Sequence, residues 1–217
     1  VGYFCDELTA MGGTGILTEV PEMFGAEQLL MNRAKDEAVY EKIVLLIKDF
    51  KRYFVKHGQV VYENPSPGNK KGGITTLEEK SLGCIQKGGK AIITDVIPYG
   101  GQVHKRGLTL LSGPGNDIVS TSALTAAGAH IILFTTGRGT PLGSPVPTVK
   151  IASNTALAEK KPHWIDFDAE RLLREEQDVV VDGFIDMMRE TAGGKKLAKN
   201  EEHGYREISI FKDGVVL

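Results

Sequence analysis

The stretch His130-Ile131-Ile132-Leu133-Phe134-Thr135-Thr136 decides the fold class, because it is apolar without the polar–apolar alternation of a half-exposed strand. Such a run is typical of a parallel strand that helices cover on both faces. We therefore predict a central, buried strand at Ile131 to Thr135. The chain then turns through Gly137-Arg138-Gly139, so this strand ends in a loop on the side of the sheet where α/β proteins bind ligands.

Helical patterns and short apolar runs alternate along the rest of the chain. The clearest helix is Lys35 to His57, in which Ile43, Ile47, Phe50 and Phe54 recur at three- and four-residue steps. Further helices are predicted at Thr76 to Gly88, Ile118 to Ala127 and Val179 to Thr191, strands at Thr14 to Val20, Ala91 to Val96 and Val146 to Ala152, and a closing hairpin at Glu207 to Leu217. This alternation predicts an α/β fold with a largely parallel sheet flanked by helices, in a Rossmann-like three-layer architecture.

Composition limits the classes of protein to which the chain can belong. Its 217 residues are 41% hydrophobic and 25% charged, which suits one compact domain, or one domain with a small appendage. A net charge of -2 without a basic stripe argues against nucleic-acid binding, and no apolar run approaches the ~20 residues of a membrane span. The distant Cys5 and Cys84 match no zinc or disulfide pattern, which favours a reducing, cytoplasmic location.

The first candidate binding segment is the loop Asn64-Pro65-Ser66-Pro67-Gly68-Asn69-Lys70-Lys71-Gly72-Gly73. It places two lysines and several glycine N–H groups just before a helix whose amino terminus favours anions, and in which Thr76 and Glu79 form a capping box. The candidate substrate contacts are Asn64, Ser66 and Asn69, and the candidate catalytic groups are Lys70, Lys71 and Glu79. The alternative is a solvated proline–glycine connection.

Two further glycine-rich loops follow predicted strands. In Ser112-Gly113-Pro114-Gly115-Asn116-Asp117, Asn116 and Asp117 either cap the next helix or contact a metal or the hydroxyls of a sugar. In the loop after the apolar strand, Thr136 and Arg138 are candidate substrate contacts, since an Arg between two glycines can hold a carboxylate through paired hydrogen bonds. We expect the three loops to surround a single cleft.

Carboxylates and one cysteine offer possible metal ligands. Glu19 and Glu22 flank Pro21 after the first strand, Glu27 follows five residues later, and Glu78 and Glu79 lie in the helix that begins at Thr76. These glutamates are either ligands for a hard metal or helix-start residues. Cys84 lies one to two turns into the helix that begins at Thr76, where the helix dipole favours a thiolate and hence metal ligation. Its apolar neighbours favour the alternative, an inert buried thiol.

A series of motifs resembles the altronate/galactarate dehydratase family and covers nearly the whole chain in order. The motifs are Gly25-Ala26-Glu27, Tyr62-Glu63-Asn64-Pro65-Ser66-Pro67-Gly68-Asn69, Gly72 to Cys84, Pro114-Gly115-Asn116-Asp117, Leu133 to Pro141, Pro147 to Ile151 and Lys161-Pro162-His163-Trp164. The run Glu19 to Glu27 and the helix end at His57 look closest to the altronate branch. Family members carry an amino-terminal and a middle domain, so we interpret residues 1–217, which begin without Met, as a carboxy-terminal fragment.

The resemblance implies a hydro-lyase that converts altronate to 2-keto-3-deoxygluconate and water in hexuronate catabolism. It also implies a divalent metal, Fe2+ in the first place and Mn2+ or Mg2+ as alternatives, together with partners in the remaining domains and a second copy of the chain. On this interpretation Arg138 holds the substrate carboxylate, Lys70 or Lys71 stabilises the enediolate, and Asn116 and Asp117 contact hydroxyls. The isolated chain should fold but lack activity.

Two alternatives remain open at this point. One is a dehydratase for another 2-hydroxy acid, such as galactarate or sulfolactate. The other is a noncatalytic module that binds sugar acids and needs no metal.

Overall fold

The computed structural model describes residues 1–61, 70 and 73–214. The chain forms two compact units, Val1–Ala127 with Ile210–Leu217 (unit 1) and Gly128–Ser209 (unit 2). Each unit contains a three-stranded sheet in which all neighbouring strands are parallel. Helices flank both sheets, so the predicted α/β class with parallel strands is confirmed, with the strands divided between two sheets.

Unit 1 is built on a sheet with the strand order β1-β3-β2. Its elements are α1 (Gly2–Ala10), β1 (Thr14–Leu17), a 3-10 helix (Val20–Met23), α2 (Glu27–Met31), α3 (Glu37–Lys56), α4 (Leu77–Gln86), β2 (Ile93–Ile97), β3 (Gly107–Leu111) and α5 (Asp117–Ala126). Because the strands are parallel, the segments that follow β1 and β3 leave the sheet at the same edge.

The long helix α3 has the predicted apolar face. Ile43, Ile47, Phe50 and Phe54 are all buried, and they pack in one core with residues of α2 and of the sheet. The helix begins at Asp36, whose side chain accepts a hydrogen bond from the N–H of Val39. The sequence prediction of this helix is therefore confirmed to within about two residues at either end.

Unit 2 is built on a sheet with the strand order β4-β5-β6. Its elements are β4 (Ile132–Thr136), β5 (Thr148–Ala152), α6 (Thr155–Lys160), β6 (Phe167–Asp168), a 3-10 helix (Ala169–Leu173), α7 (Gln177–Ala192) and α8 (Lys199–His203). The predicted helix from Val179 to Thr191 and the predicted strand ending at Ala152 are confirmed as α7 and β5.

The buried central strand of unit 2 is β5 and not β4. Strand β4 lies at the edge of its sheet and is half-buried over most of its length, whereas every residue of β5 is buried. The prediction of a central strand at Ile131 to Thr135 was therefore wrong in its position. The more apolar strand is not the central one. Strand β5 is covered on both faces although it carries the polar residues Thr148 and Lys150, so apolar content did not indicate the strand order.

Two further elements differ between the sequence prediction and the structure. The central strand of unit 1, β3, was not predicted, since Gly107–Leu111 is short and its pairing with β1 joins distant parts of the chain. The predicted hairpin at Glu207 to Leu217 was wrong over its described part, because residues 207–214 form no strand. Within the described ranges, no helix is long and apolar enough to cross a membrane.

Candidate functional site

The segments that follow β1 and β3 pack directly against each other. Val20 N–H donates to the carbonyl of Gly113 at 3.0 Å, and the hydroxyl of Thr18 donates to the carbonyl of Leu111 at 3.1 Å. A side chain on Gly113 would collide with the Thr18 hydroxyl, so glycine allows this close approach. The pairing places Glu19 and Glu22 beside the loop that leads into α5.

Glu19 has an unusual backbone conformation. Its φ of 63° and ψ of 56° are left-handed, and among the described residues it is the one non-glycine residue with positive φ. A left-handed conformation costs a residue with a Cβ about 1–2 kcal/mol, and such strain often accompanies functional sites. It is held by the Val20–Gly113 hydrogen bond and by the N–H of Glu22, which donates to the carbonyl of Glu19 at 2.9 Å.

Helix α4 and the residue just after it present three polar side chains to these glutamates. Lys80 Nζ lies 2.9 Å from Glu22 Oε1, the thiol of Cys84 donates to Glu22 Oε2 at 2.8 Å, and Lys87 Nζ lies 3.9 Å from Glu19 Oε2. Residues 80, 84 and 87 are spaced by four and three positions, so they share one face of the helix. We call Glu19, Glu22, Lys80, Cys84 and Lys87 the acid–lysine cluster.

Burial and neighbouring charges shift the pKa values of the two glutamates in the cluster in opposite directions. Burial and the negative charge of Glu22 raise the pKa of Glu19 to about 7, although the ammonium of Lys87 opposes the shift. Burial would also raise the pKa of Glu22, but Lys87, Lys80 and the hydrogen bond from Cys84 outweigh it and hold that pKa below its ordinary value. Neighbouring carboxyls with divergent pKa values are typical of acid–base sites.

Cys84 is a protonated hydrogen-bond donor in this arrangement. Burial is the main cause that raises the pKa of its thiol to about 12, and the charge of Glu22 adds to the shift. Of the two interpretations of Cys84, the environment therefore favours the buried thiol over the thiolate. Its role as a metal ligand stays a prediction.

The described part of the chain does not make up a metal centre by itself. No three His, Cys, Asp or Glu side chains within it come together as ligands. In addition, the ammonium groups of Lys80 and Lys87 lie beside the carboxylates of the acid–lysine cluster and would repel a divalent cation. We therefore do not assign Glu19 or Glu22 as metal ligands.

Asn116 and Asp117 lie at the start of α5, next to the cluster. Asn116 caps the helix, since its side chain accepts from the N–H of Val119 at 3.3 Å. Asp117 is exposed as a whole residue, yet partial burial of its carboxyl together with the charge of Glu22 raises its pKa, so it lies within electrostatic reach of the acid–lysine cluster. Contact of either side chain with a substrate stays a prediction.

The predicted residues of the first loop are divided between described and undescribed positions. Asn64, Ser66, Asn69 and Lys71 lie outside the described residues, and Lys70 is exposed. Glu79 completes the predicted capping box with Thr76, which is confirmed, and its Oε2 accepts from the N–H and hydroxyl of Thr75 at 2.8 and 3.0 Å. The structure thus gives Glu79 a helix-capping role, and a catalytic role for it stays a prediction.

Thr136 and Arg138 belong to unit 2. The hydroxyl of Thr136 accepts from the N–H of Gly139 at 2.9 Å, and the Lys161 ammonium donates to the carbonyl of Arg138 at 2.8 Å, so the loop is tied down. The Arg138 side chain remains exposed. Its approach to the loops of unit 1 stays a prediction.

Sequence reasoning missed Lys80 and Lys87. The four- and three-residue spacing with Cys84 was visible and could have indicated one polar face on α4. The facing glutamates could not be inferred in the same way, because the 3-10 helix that carries Glu22 contacts α4 across a long stretch of chain.

Comparison with known proteins agrees with the motifs of the sequence. Residues 1–216 match the family described as D-galactarate/Altronate dehydratase, C-terminal. The whole chain is 58% identical to altronate dehydratases of Escherichia coli and Bacillus subtilis, of which it covers 44%, and 34% identical to galactarate dehydratase (L-threo-forming) of Escherichia coli, of which it covers 42%. The chain thus spans less than half the length of these curated relatives. Since the family match extends over nearly the whole sequence, the chain belongs to the D-galactarate/altronate dehydratase family and corresponds to its C-terminal region.

Proposed function

We propose that the protein to which this chain belongs dehydrates altronate to 2-keto-3-deoxygluconate, and that the acid–lysine cluster forms part of its active site. The observation that carries the proposal is a pair of glutamates beside two lysines, with Glu22 2.9 Å from Lys80 and Glu19 3.9 Å from Lys87, in a chain 58% identical to altronate dehydratases over its full length. The cluster stands at the edge of the sheet where strands β1 and β3 end, which is the usual ligand side of a parallel sheet.

The reaction requires the kinds of group that the cluster provides. The proton on C2 of a 2-hydroxy acid is weakly acidic, because its removal places negative charge next to a carboxylate. A carboxylate can take the proton, and nearby ammonium groups can stabilise the charge that develops. Glu19 and Glu22 offer the carboxylates, and Lys80 and Lys87 offer the ammonium groups.

A divalent cation, Fe2+ in the first place, is part of this proposal for the whole protein. It would act as a Lewis acid on the substrate carboxylate and hydroxyl oxygens. Because the described residues do not bring three His, Cys, Asp or Glu ligands together, further ligands would come from other parts of the protein, and Cys84 is the candidate ligand from the described residues. Proton transfer and charge stabilisation by the acid–lysine cluster do not depend on it.

Galactarate is the second candidate substrate. The chain is 34% identical to a galactarate dehydratase over its full length, and the two substrates share the 2,3-dihydroxy acid end at which water is lost. The greater identity to altronate dehydratases favours altronate.

We expect the full-length protein to turn over altronate with a kcat/KM at least about tenfold higher than for galactarate, a difference that pocket contacts can supply. The isolated 217-residue chain should give a cooperative unfolding transition and no turnover. The assay follows formation of the 2-keto acid, with and without added Fe2+. Lack of turnover of either acid by the full-length protein under both conditions would overturn the proposal, and full turnover by the isolated chain would show that the rest of the protein is not needed.

Arg138→Ala in the full-length protein should raise KM for altronate by about 10- to 100-fold and change kcat little, since an Arg–carboxylate pair contributes about 1.5–3 kcal/mol. Arg189→Ala is the control, because Arg189 is exposed on α7 and pairs with Asp186 of the same helix. Steady-state kinetics of both variants provides the measurement. Equal KM values for the wild type and Arg138→Ala would contradict the assignment.

A further inference from the structure

Three properties of Glu19 suit a residue that accepts a proton from a ligand. Its backbone is held in the left-handed region, where glycine would be more stable. Its side chain keeps 21% of its surface open, so a ligand can reach it. Its Oε2 atom lies 3.9 Å from the ammonium of Lys87, longer than a direct hydrogen bond, which leaves the carboxylate with capacity to accept another proton.

Glu22 differs from Glu19 in the hydrogen bonds that its carboxylate accepts. Its two carboxylate oxygens accept separately from Lys80 and from the thiol of Cys84, at 2.9 and 2.8 Å. Both donors stabilise the carboxylate form of Glu22 over its protonated form. Glu22 is therefore a fixed negative charge, and its repulsion acts on Glu19 across the single turn of the 3-10 helix.

We propose that Glu19 is the general base that takes the proton from C2 of the sugar acid, and that Glu22, held by Lys80 and Cys84, is the fixed charge beside it. This inference rests on the proposed dehydratase function. The left-handed backbone fixes the direction of the Glu19 side chain, and the Val20–Gly113 hydrogen bond prevents the segment from relaxing.

The step balances without a redox partner. Glu19 takes the proton from C2, the C–H electron pair forms the C2–C3 double bond, and the C3–O bond breaks with its electron pair. The leaving hydroxide takes a proton from solvent and departs as water. The enol then ketonises at C3, and Glu19 returns its proton to solvent, so that one water is lost per sugar acid.

The structure supplies the conditions for a base that works near neutral pH. Glu22 and Asp117 carry the negative charges that face Glu19, and Lys87 and Lys80 carry the positive charges. Together with burial they leave the pKa of Glu19 at about 7, so the carboxylate form is gained as pH rises through that value. In the wild-type enzyme, kcat/KM should accordingly rise about tenfold per pH unit below pH 7 and level off above it.

The test compares Glu19→Gln with the wild type in the full-length protein between pH 5.5 and 8.5. We expect kcat on altronate to fall by about 10²–10⁴-fold, the range for loss of a general base, and the acid limb of the pH profile to disappear. Glu41→Gln is the control: Glu41 is exposed on α3 of the same unit and is not part of the acid–lysine cluster. It should retain kcat within about twofold and keep the acid limb, as expected for a residue outside the reacting groups.

A second variant separates catalysis from folding. Glu19→Asp keeps a carboxylate that is one methylene shorter, and it should retain the acid limb with a rate about 10–100-fold below the wild type. A Glu19→Gln enzyme that keeps kcat within tenfold, or that keeps the acid limb, would overturn the assignment of Glu19. If the wild type itself turns over neither altronate nor galactarate, the proposed function fails instead.

Discussion

Replacement of Lys150 by methionine is expected to raise the free energy of unfolding of unit 2 by about 3 kcal/mol at pH 7. Lys150 lies on the central strand β5 with a fully buried side chain. Within the described part of the chain its Nζ atom has no hydrogen-bond partner, and it lies over the ring of Tyr205 at 5.8 Å from the centroid, a long cation–π contact. A buried ammonium without hydrogen bonds is costly, and methionine has a similar length without the charge.

The pH dependence of this effect follows from the direction of the pKa shift. Burial lowers the pKa of Lys150 to about 8, and the charges of Asp166 and Glu207 oppose that shift. Between about pH 8 and the ordinary lysine value, the unfolded chain binds more protons than the folded chain, so wild-type stability rises with pH there. The Lys150→Met variant lacks this rise, and its advantage should be largest at pH 7 and should shrink towards pH 10.

Trp164 makes the measurement specific to unit 2, because it is the single tryptophan of the chain and lies in that unit. Urea unfolding followed by Trp164 fluorescence gives the difference in free energy of unfolding between Lys150→Met and the wild type at pH 7 and at pH 10. Lys48→Met serves as the control, since Lys48 is exposed on α3 and its loss should change stability by less than about 0.5 kcal/mol. A Lys150→Met variant less stable than the wild type at pH 7 would show that the ammonium is well solvated or paired.

Phe24→Ala should destabilise unit 1 by about 3–5 kcal/mol, the usual cost of removing a large buried ring. The Phe24 side chain is fully buried, and its ring packs edge-on against that of Phe54 with centroids 6.0 Å apart. It also directly follows the 3-10 helix that carries Glu22, and its carbonyl accepts from the hydroxyl of Ser81 on α4. The substitution therefore loosens the connection between the two parts of the acid–lysine cluster.

Far-UV circular dichroism during urea unfolding measures the loss in free energy of unfolding caused by Phe24→Ala. Phe24→Leu is the matched variant, because it keeps most of the apolar volume and should cost less than about 1.5 kcal/mol. Trp164 fluorescence should report a smaller change than circular dichroism, since Trp164 lies in unit 2. A loss below about 1 kcal/mol for Phe24→Ala would mean that the surrounding core can fill the cavity.

The sequence indicated the fold best where the signal is local. The three- and four-residue spacing in α3, and the pairing of Thr76 with Glu79 in the capping box, depend on neighbours within one helix, and both were confirmed. The order of the strands depends on contacts between distant segments. For that reason the central position of β5 was assigned to β4, and β3 was not predicted.

The candidate site shows the same division between local and distant causes. The glycine-rich loops and Asn116 at the start of α5 were visible as motifs. The conformation of Glu19 was not, because it depends on the carbonyl of Gly113, which follows the partner strand β3 and is distant in sequence. The pKa of Glu19 is raised first by burial and then by the charge of Glu22, and Lys87 of a different element opposes the shift. Glu22 is visible in the local sequence, but the burial depends on distant segments.

The chain path of unit 1 determines the order in which the two units can be assembled during synthesis. Strand β1 leaves the ribosome well before its partner β3, and Thr14 pairs with Gly107, so β1 stays an open strand edge until residue 111 has emerged. Unit 1 then remains incomplete while all of unit 2 is made, because Phe211 packs on Tyr53 and the Tyr53 hydroxyl donates to the carbonyl of Gly214. Unit 2, an uninterrupted segment, can close first. A nascent chain of this protein therefore holds the whole buried core of unit 1, which lies within residues 5–127, before unit 2 is made, but the Tyr53 ring lacks its Phe211 contact until residue 211 has emerged. An early stop would leave that ring uncovered.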